Sequence, residues 1–268
     1  MQITSIGILI IFTSMFLSGC AHQKVSTTQN KSDAEVKEPR KTSPDLKPVE
    51  IKELGDGVWI HTSYKIVMPW GNVLTNGLII ERGNHTVLID TAWNDEQTAE
   101  ILDWAEITLK KPVQASIHTH AHSDKMGGMK ALHSRGVVTY ASKLTNKLAL
   151  ERGLDQAQSQ LDLSEIGDQI EWNGLSVLYP GGGHSEDNIV VNDFTTRILF
   201  GGCMIRPGMT KSLGNTGDAN LKYWSKAVEN AANAFPNSNI VVPSHGKPAG
   251  REILKNTATI ARPQFKAE

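Results

Sequence analysis

Nine strand-like runs alternate with four helix-like stretches after residue 49, and this pattern limits the chain to a layered α/β fold. Each strand-like run is rich in Ile, Val or Leu and is bounded by Gly, Asn or Pro. The predicted strands cover residues 58–62, 77–81, 86–91, 115–120, 137–141, 175–179, 188–192, 197–201 and 240–243. Apolar residues near helical spacing predict helices over 94–108, 125–134, 143–152 and 220–234. Nine strands favour two sheets within a single folded domain, residues 49–268.

A targeting segment precedes this domain. The apolar run over residues 6–17 is too short to span a bilayer comfortably, and Leu-Ser-Gly-Cys, ending at Cys20, resembles a bacterial lipobox. No Lys or Arg precedes the run, so an ordinary signal peptide on a soluble periplasmic protein is the alternative. We expect a lipoprotein signal over 1–19 and a lipid on Cys20. This lipid would anchor the protein in the periplasm, at the outer membrane.

Residues 20–48 contain almost no large apolar side chains and many charged ones, which predicts a disordered tether after the lipidated cysteine. The whole chain has a net charge of −1 and a pI of about 6.8, so no basic field attracts nucleic acid. Two cysteines allow at most one disulfide bond and exclude a disulfide-rich scaffold.

A cluster of potential metal ligands lies at the end of the predicted strand 115–120 and in the turn after it. His120, His122 and Asp124 are spaced by two residues, so they share one face of an extended chain. This spacing differs from the helical zincin motif, and the chain lacks the motif pair of zinc deaminases. His118 is two residues away and is left open as a further ligand.

Three more potential ligands follow other predicted strands: His184, Cys203 and His245. Ligand-binding groups collect at the carboxyl ends of strands in α/β sheets, so the six side chains are expected to converge. Nitrogen, oxygen and sulfur donors together suit zinc better than magnesium or calcium. Six ligands suit two zinc ions with three protein ligands and one open position each, which predicts a dizinc hydrolase.

Several motifs resemble those of class B metallo-β-lactamases of the first subclass, closest to the New Delhi type. These motifs are HTHAHSDKMGG over 118–128, VLIDTAW over 87–93, FGGC over 200–203 and KSLGNTGDA over 211–219. The resemblance implies a four-layer αββα sandwich with two zinc ions. The implied ligands of the first zinc are His120, His122 and His184, and those of the second are Asp124, Cys203 and His245.

The same resemblance implies an activity: hydrolysis of the β-lactam amide of penicillins, cephalosporins and carbapenems by a metal-bound hydroxide, giving antibiotic resistance. Asn215 would stabilise the developing oxyanion together with the first zinc. Asp124 would orient the nucleophile in addition to binding metal. Asp90, at a predicted strand end, would brace the His-rich loop, although an ordinary turn residue is an equal alternative.

Residues implied to bind substrate lie in two further segments. By resemblance, residues 64–74 form a mobile flap whose apolar contacts are Val67, Met68 and Trp70, with Trp93 as the opposite wall. Ordinary hairpin packing is the alternative for this segment. The family commonly has Lys three residues after the ligand Cys, to pair with the substrate carboxylate. This chain has Arg206 there, and Lys211 is a second candidate for that role.

Two other functions compete with this hypothesis. A glyoxalase-II-like thioester hydrolase of the same superfold usually has His directly after the Asp of the first motif, where this chain has Lys125. A lipid-anchored zinc-binding protein without activity would have closed four-ligand shells. For the enzyme we expect a monomer that binds small β-lactam substrates, binds no nucleic acid, and meets the membrane only through its lipid.

Overall fold

Two β-sheets pack face to face, and helices cover their outer surfaces. The computed structural model describes residues 47–263. The expected signal peptide, the expected lipid on Cys20 and nearly all of the expected tether lie outside the described residues. Within residues 47–263, no helix is both long enough and apolar enough to cross a bilayer.

The first sheet has seven strands that pair in the order of the sequence. Its first four strands are antiparallel neighbours, and the pairs from the fourth strand to the seventh are parallel. The strands are β1 (Glu50–Gly55), β2 (Val58–Val67), β3 (Gly71–Arg82), β4 (His85–Ile89), β5 (Val113–Ile117), β6 (Val138–Ser142) and β7 (Ser159–Leu161). The long β2–β3 hairpin extends beyond the rest of this sheet.

The second sheet has five strands in the order β12-β11-β10-β9-β8. They are β8 (Gln169–Trp172), β9 (Leu175–Leu178), β10 (Val190–Asp193), β11 (Ile198–Gly202) and β12 (Ile240–Pro243). Strand β10 is antiparallel to both β9 and β11, and β12 is parallel to β11. Strands β9, β11 and β12 therefore run in one direction, and their carboxyl ends lie at the same edge.

Within the part of the chain that the structure describes, six α-helices connect or follow the strands. They are α1 (Asp95–Trp104), α2 (Ser123–Met126), α3 (Met129–Ser134), α4 (Lys143–Glu151), α5 (Trp224–Ala234) and α6 (Glu252–Ile260), and a π-helical turn (Ala105–Leu109) extends α1. Asn94 caps α1, because its side chain accepts a hydrogen bond from the backbone N–H of Gln97. Ser142 caps α4 in the same way.

Three apolar clusters define the layers. Successive side chains of a strand point to opposite faces, so Leu78 and Ile80 of β3 pack toward the second sheet. Ile79, between them, packs among the residues of α1, α3 and α4. On the far side, Trp224 of α5 and Ile253 of α6 cover the outer face of the second sheet. The order helix, sheet, sheet, helix confirms the expected αββα sandwich and single domain.

The structure differs from the sequence predictions in several elements. Strands β1, β7 and β8 and helix α6 were not predicted. These three strands are short or rich in polar residues. Strands β1 and β8 each pair with the strand that follows them after a turn, and β7 pairs with β6, from which α4 separates it in sequence. The predicted strands 58–62 and 77–81 are parts of the longer β2 and β3. Apolar patterning detects buried strands better than edge strands.

The prediction of one helix over 125–134 is wrong, because this stretch contains α2 and α3 separated at Gly127 and Gly128. A Cβ atom on Gly127 would overlap the backbone carbonyl of Trp93, and one on Gly128 would overlap the side chain of Thr98. The glycines therefore permit close packing of this segment against residues 93–98. This packing places the start of α2 directly beside the His-rich loop.

Candidate metal centre

The first group of metal donors consists of three histidines. His120 and His122 lie in the loop after β5, and His184 lies in the loop after β9. The His122 Nδ1 atom is 3.1 Å from His120 Nε2 and 3.2 Å from His184 Nε2. A tetrahedral zinc ion bound at its usual distance requires nitrogen atoms about 3.3 Å apart. The three nitrogen atoms therefore fit one zinc ion.

The second group combines an oxygen, a sulfur and a nitrogen atom. Asp124 is in the first turn of α2, Cys203 follows β11, and His245 follows β12. The Cys203 Sγ atom is 3.5 Å from Asp124 Oδ2 and 3.3 Å from His245 Nε2, and the last two atoms are 3.6 Å apart. Tetrahedral geometry with one thiolate ligand requires separations of about 3.3–3.6 Å. This group also fits a zinc ion.

The two groups adjoin each other. The donor atoms of His120, His184 and Cys203 also lie within 4.8 Å of one another, so the sulfur atom lies beside the three histidines. The fold explains this convergence, because β9, β11 and β12 are codirectional and deliver the loops after their carboxyl ends to one edge. All six side chains predicted to bind metal are thus brought together.

Burial keeps the histidines in the form that binds metal. It lowers the pKa of His184 to about 3 and holds the pKa values of His120 and His245 below their ordinary range, so the imidazoles are neutral at pH 7. Burial raises the pKa of the Cys203 thiol, so the thiolate requires a bound cation. Neutral imidazoles, a thiol and a carboxylate together provide donor atoms that suit zinc.

Lys125 and Thr75 fix the carboxylate of Asp124. Lys125 is fully buried, and its Nζ atom is 3.3 Å from Asp124 Oδ2 and 3.7 Å from Asp90 Oδ2. Thr75 accepts a hydrogen bond from Lys125 Nζ (2.7 Å) and donates one to Asp124 Oδ2 (3.0 Å). Burial would raise the pKa of Asp124, but the ammonium of Lys125 and nearby histidines hold it well below its ordinary range.

Asp90 contacts the His-rich loop from beneath. Its two carboxylate oxygens accept hydrogen bonds from the backbone N–H (2.7 Å) and the hydroxyl (2.8 Å) of Thr119. Asp90 has a φ of 61°, a left-handed conformation that is costly for a residue other than glycine. Burial raises its pKa to about 7, against the effects of Lys125 and Thr119. Asp90 therefore contacts both the backbone and the side chain of Thr119, within the His-rich loop.

His118 is placed away from both groups of metal donors. It is fully buried, and its Nε2 atom is 2.7 Å from Ser116 Oγ while its Nδ1 atom is 2.9 Å from the Lys125 carbonyl oxygen. Both ring nitrogens therefore have hydrogen-bonding partners within the protein. The structure gives His118 a packing and bonding role in the loop, and it does not join the six donors.

His245 is also tied to the base of the β2–β3 hairpin. Its Nδ1 atom is 2.7 Å from the carbonyl oxygen of Leu74, which fixes the Nε2 atom toward the metal position. The side chain of Asn76 donates hydrogen bonds to the carbonyl oxygens of Pro243 (2.9 Å) and Gly246 (2.7 Å), on either side of His245. The hairpin and a metal ligand are thus joined directly.

Four of the six donors line a cleft of about 450 Å³: His122, Asp124, His184 and His245. Of the residues predicted to bind substrate, Val67, Trp70, Trp93, Arg206 and Asn215 line this cleft. Met68 does not line it, and 81% of Met68 is exposed at the tip of the hairpin. Lys211 is exposed and also lies outside the lining.

Sequence reasoning missed several side chains that position the centre. Thr75 and Asn76 lie on β3, well before His120, the first metal donor in the sequence, and nothing in their spacing marks them. Lys125 was noticed only as a difference from thioester hydrolases. A lysine next to a cluster of donors, in a stretch otherwise suited to burial, is a signal that could have indicated a charge partner for Asp124.

Known proteins resemble this chain over most of its length. A family model described as the metallo-beta-lactamase superfamily matches residues 70–245. A Bacillus cereus protein named metallo-beta-lactamase type 2 is 36% identical over 216 residues, which make up 80% of this chain and 83% of that protein. The crystal structure of a metallo beta lactamase from Hirschia baltica is 74% identical, with a TM-score of 0.81, and the match covers 82% of this chain and 100% of that chain.

A second solved structure is that of the metallo-beta-lactamase FIM-1 from Pseudomonas aeruginosa, in its mono-zinc form. It is 45% identical with a TM-score of 0.78, and the match covers 81% of this chain and 96% of that chain. The chain therefore belongs to the metallo-beta-lactamase superfamily. It is an enzyme of that class, a metallo-β-lactamase, and its six donors are the groups in its structure that can hold the zinc that the class implies.

Proposed function

We propose that this enzyme binds two zinc ions per chain and hydrolyses the β-lactam amide of penicillins, cephalosporins and carbapenems, thereby giving antibiotic resistance. One observation carries the proposal: six donor atoms from four segments of the chain form two adjoining groups beside a cleft that four of the donor residues line. Each group supplies three protein ligands, which leaves a coordination position for water or substrate. Closed structural sites would need four ligands each.

When bound, zinc would supply a Lewis acid and lower the pKa of a coordinated water. The chain's own residues divide the remaining work. The four histidines, Cys203 and the charged Asp124 would hold the metals, and Lys125 keeps that carboxylate ionised and oriented. Asp90 fixes the loop that carries two of the histidines, through Thr119.

Asn215 is proposed to bind the substrate carbonyl. Its Oδ1 atom accepts a hydrogen bond from the backbone N–H of Gly217 (3.1 Å), which sets the orientation of the amide. The Nδ2 atom then serves as the donor toward the cleft. A positioned N–H donor stabilises the negative charge that develops on the carbonyl oxygen during attack on the amide.

Arg206 is proposed to bind the carboxylate that these antibiotics carry. It lines the cleft, and its Nε atom donates a hydrogen bond to the carbonyl oxygen of Ser212 (3.3 Å). This contact directs the guanidinium group into the loop that also carries Asn215. The planar guanidinium can bind a carboxylate through two parallel hydrogen bonds, whereas the lysine ammonium common in the family acts as a point charge. Lys211 is the weaker candidate, since it lies outside the cleft lining.

The hairpin tip is proposed to close over bound substrate. Val67, the last residue of β2, and Trp70, in the turn before β3, line the cleft, and Trp93 lines it as well. Trp70 is 57% exposed, an unusual cost for a large apolar side chain unless it meets a ligand. Met68 would contact only the larger substituents of a substrate, because it lies farther out on the same tip.

The test compares the zinc-loaded protein with protein treated with a chelator. We expect about two zinc ions per chain by elemental analysis, and ring opening of a penicillin, a cephalosporin and a carbapenem that chelation abolishes and zinc restores. A thioester such as S-lactoylglutathione serves as the control substrate and should not be hydrolysed. Absence of zinc-dependent β-lactam hydrolysis, or preferential thioester hydrolysis, would refute the proposal.

We also propose that the mature chain is a periplasmic monomer anchored to the outer membrane by a lipid on Cys20. The lipobox-like tetrapeptide supports the anchor, and the origin of all six donors in one chain supports the monomer. Mass spectrometry of protein extracted from membranes should find acyl chains on an N-terminal cysteine. An unmodified mature N-terminus, or a stable dimer by light scattering, would contradict the respective part.

A further inference from the structure

Asp218 contacts a histidine of the first metal group. Its Oδ2 atom is 2.8 Å from His122 Nε2, and His122 Nδ1 is the atom that faces His120 and His184. A neutral imidazole has one N–H group, and a carboxylate partner places that proton on Nε2. The lone pair of Nδ1 is then directed toward the metal position, as in other sites where a carboxylate orients a ligating histidine.

Asp218 is itself held by an arginine from another part of the chain. Arg152 follows the end of α4, and its Nη2 atom is 3.4 Å from Asp218 Oδ2. Its Nη1 atom donates a 2.8 Å hydrogen bond to the carbonyl oxygen of Ala121, the residue between His120 and His122. The Arg152 side chain is only 25% exposed, whereas that of Asp218 is 48% exposed.

The same contacts reach the loop that carries Asn215. Asp218 and Asn215 are three residues apart, and the backbone N–H of Gly217 between them bonds to the Asn215 side chain. One guanidinium group therefore joins the end of α4, the His-rich loop and the Asn215 loop. A carboxylate that is half exposed would otherwise be free to turn away from His122 into water.

We propose that Arg152 is a positioning residue, which holds Asp218 against His122 and keeps the Asn215 loop in register with the first metal group. The inference rests on the proposed function, because it assigns His122 to zinc and Asn215 to substrate. Arg152 itself is assigned to neither zinc nor substrate, and its effect passes through Asp218 and the Ala121 carbonyl. The rigid fork of a guanidinium suits two acceptors that face it from different loops.

The test measures binding of cobalt(II) to the metal-free wild type and to Arg152→Gln. Cobalt(II) reports the two groups separately, because only the group with Cys203 gives a thiolate charge-transfer band. We expect Arg152→Gln to weaken the binding at the three-histidine group by about tenfold, the lower end of the effect of losing an outer partner of a metal ligand. The affinity at the Cys203 group should stay within about twofold of wild type.

Two matched variants complete the experiment. Arg152→Lys keeps the charge but not the fork, and should restore part of the lost affinity. Arg135→Gln removes an arginine that pairs with Asp103 and Glu106 on α1 and its extension, and should leave both affinities unchanged. With saturating zinc, Arg152→Gln should lower kcat more than it raises KM, because the Asn215 loop is displaced.

Unchanged cobalt affinity at the three-histidine group in Arg152→Gln would overturn the proposal. Equal weakening at both groups, accompanied by a lower Tm of the metal-free protein, would also overturn it, since this result indicates a general role in folding. Failure of the wild type to bind cobalt or to hydrolyse β-lactams would instead refute the proposed function. The two failures are therefore distinguishable.

Discussion

Lys125→Met tests whether a buried ammonium compensates the carboxylates beneath the metal centre. Lys125 is fully buried and pairs with Asp124 at 3.3 Å and with Asp90 at 3.7 Å. Methionine has a similar length and no charge, so the change removes the ion pairs and largely conserves the packing. Two buried carboxylates would then lack their compensating charge.

Breaking a buried ion pair by removing one partner costs about 3–5 kcal/mol. For a domain of this size, each kcal/mol lowers the Tm by about 2–4 °C, so we expect a fall of about 6–20 °C in the metal-free protein. Bound zinc places positive charge beside Asp124, and the fall should therefore be smaller in the zinc-loaded protein. Without Lys125 the pKa of Asp90, which burial already raises to about 7, rises further, and the pKa of Asp124 loses the ammonium charge that opposes the effect of its burial. The loss of stability of Lys125→Met relative to wild type should therefore be largest near pH 7, and it should diminish as the pH falls toward about 4 and the carboxylates are protonated.

Calorimetry of the metal-free and zinc-loaded forms at several pH values provides the measurement. Lys147→Met is the matched control, because this lysine is 70% exposed and pairs weakly with Glu151 at 3.9 Å. Its Tm should stay within about 2 °C of wild type. A Lys125→Met protein with the same small change in its metal-free form would refute the assignment of Lys125 as the compensating charge.

Three further predictions concern the centre and its surroundings. Cys203→Ser should lower the affinity for zinc at the second group by more than the 10–100-fold typical of losing an outer partner of a ligand, and it should sharply lower activity. Elemental analysis and penicillin hydrolysis provide the measurements, and full activity with one zinc would contradict this role. Arg206→Ala should raise KM by about 10–100-fold, the equivalent of one charged hydrogen bond, with a smaller effect on kcat. An unchanged KM for several β-lactams would remove Arg206 from substrate binding. His118→Gln tests a buried histidine that is not one of the six metal donors. Burial lowers the pKa of His118 to about 4. The contribution of this histidine to stability is therefore complete above about pH 6.5 and is lost as the pH falls toward 4. The variant should flatten the pH dependence of metal-free stability by up to about 1.4 kcal/mol per pH unit in that window, measured by urea unfolding, and an unchanged slope would contradict the assignment.

The layered fold was predictable because its central strands are continuous apolar runs bounded by Gly, Asn or Pro. Strands such as β4 and β11 are buried on both faces and show this pattern clearly. Strand β1 is half exposed at the sheet edge and contains charged residues, so its conformation depends on pairing with β2. The break between α2 and α3 depends on close packing of two glycines, and no local pattern reveals it.

The metal donors were predictable from local features, since each lies at or shortly after the end of a predicted strand and has a side chain suited to zinc. Their supports were not predictable in this way. Thr75, Asn76 and Arg152 are ordinary residues in sequence, and their roles come from contacts across 31 to 170 positions of the chain. Contacts of that kind exist only after the sheets have packed.

The order of residues by itself determined which atoms can bind metal, because donor chemistry and strand-end spacing are properties of the chain. Tertiary structure alone decided how closely those atoms approach one another, which side chains neutralise Asp124, and which predicted substrate contacts reach the cleft. Met68 and Val67 are neighbours in sequence, yet only Val67 lines the cleft, because Val67 is the last residue of β2 whereas Met68 lies in the exposed turn at the tip of the hairpin. Distance along the chain does not specify which faces meet; the packing of the two sheets does.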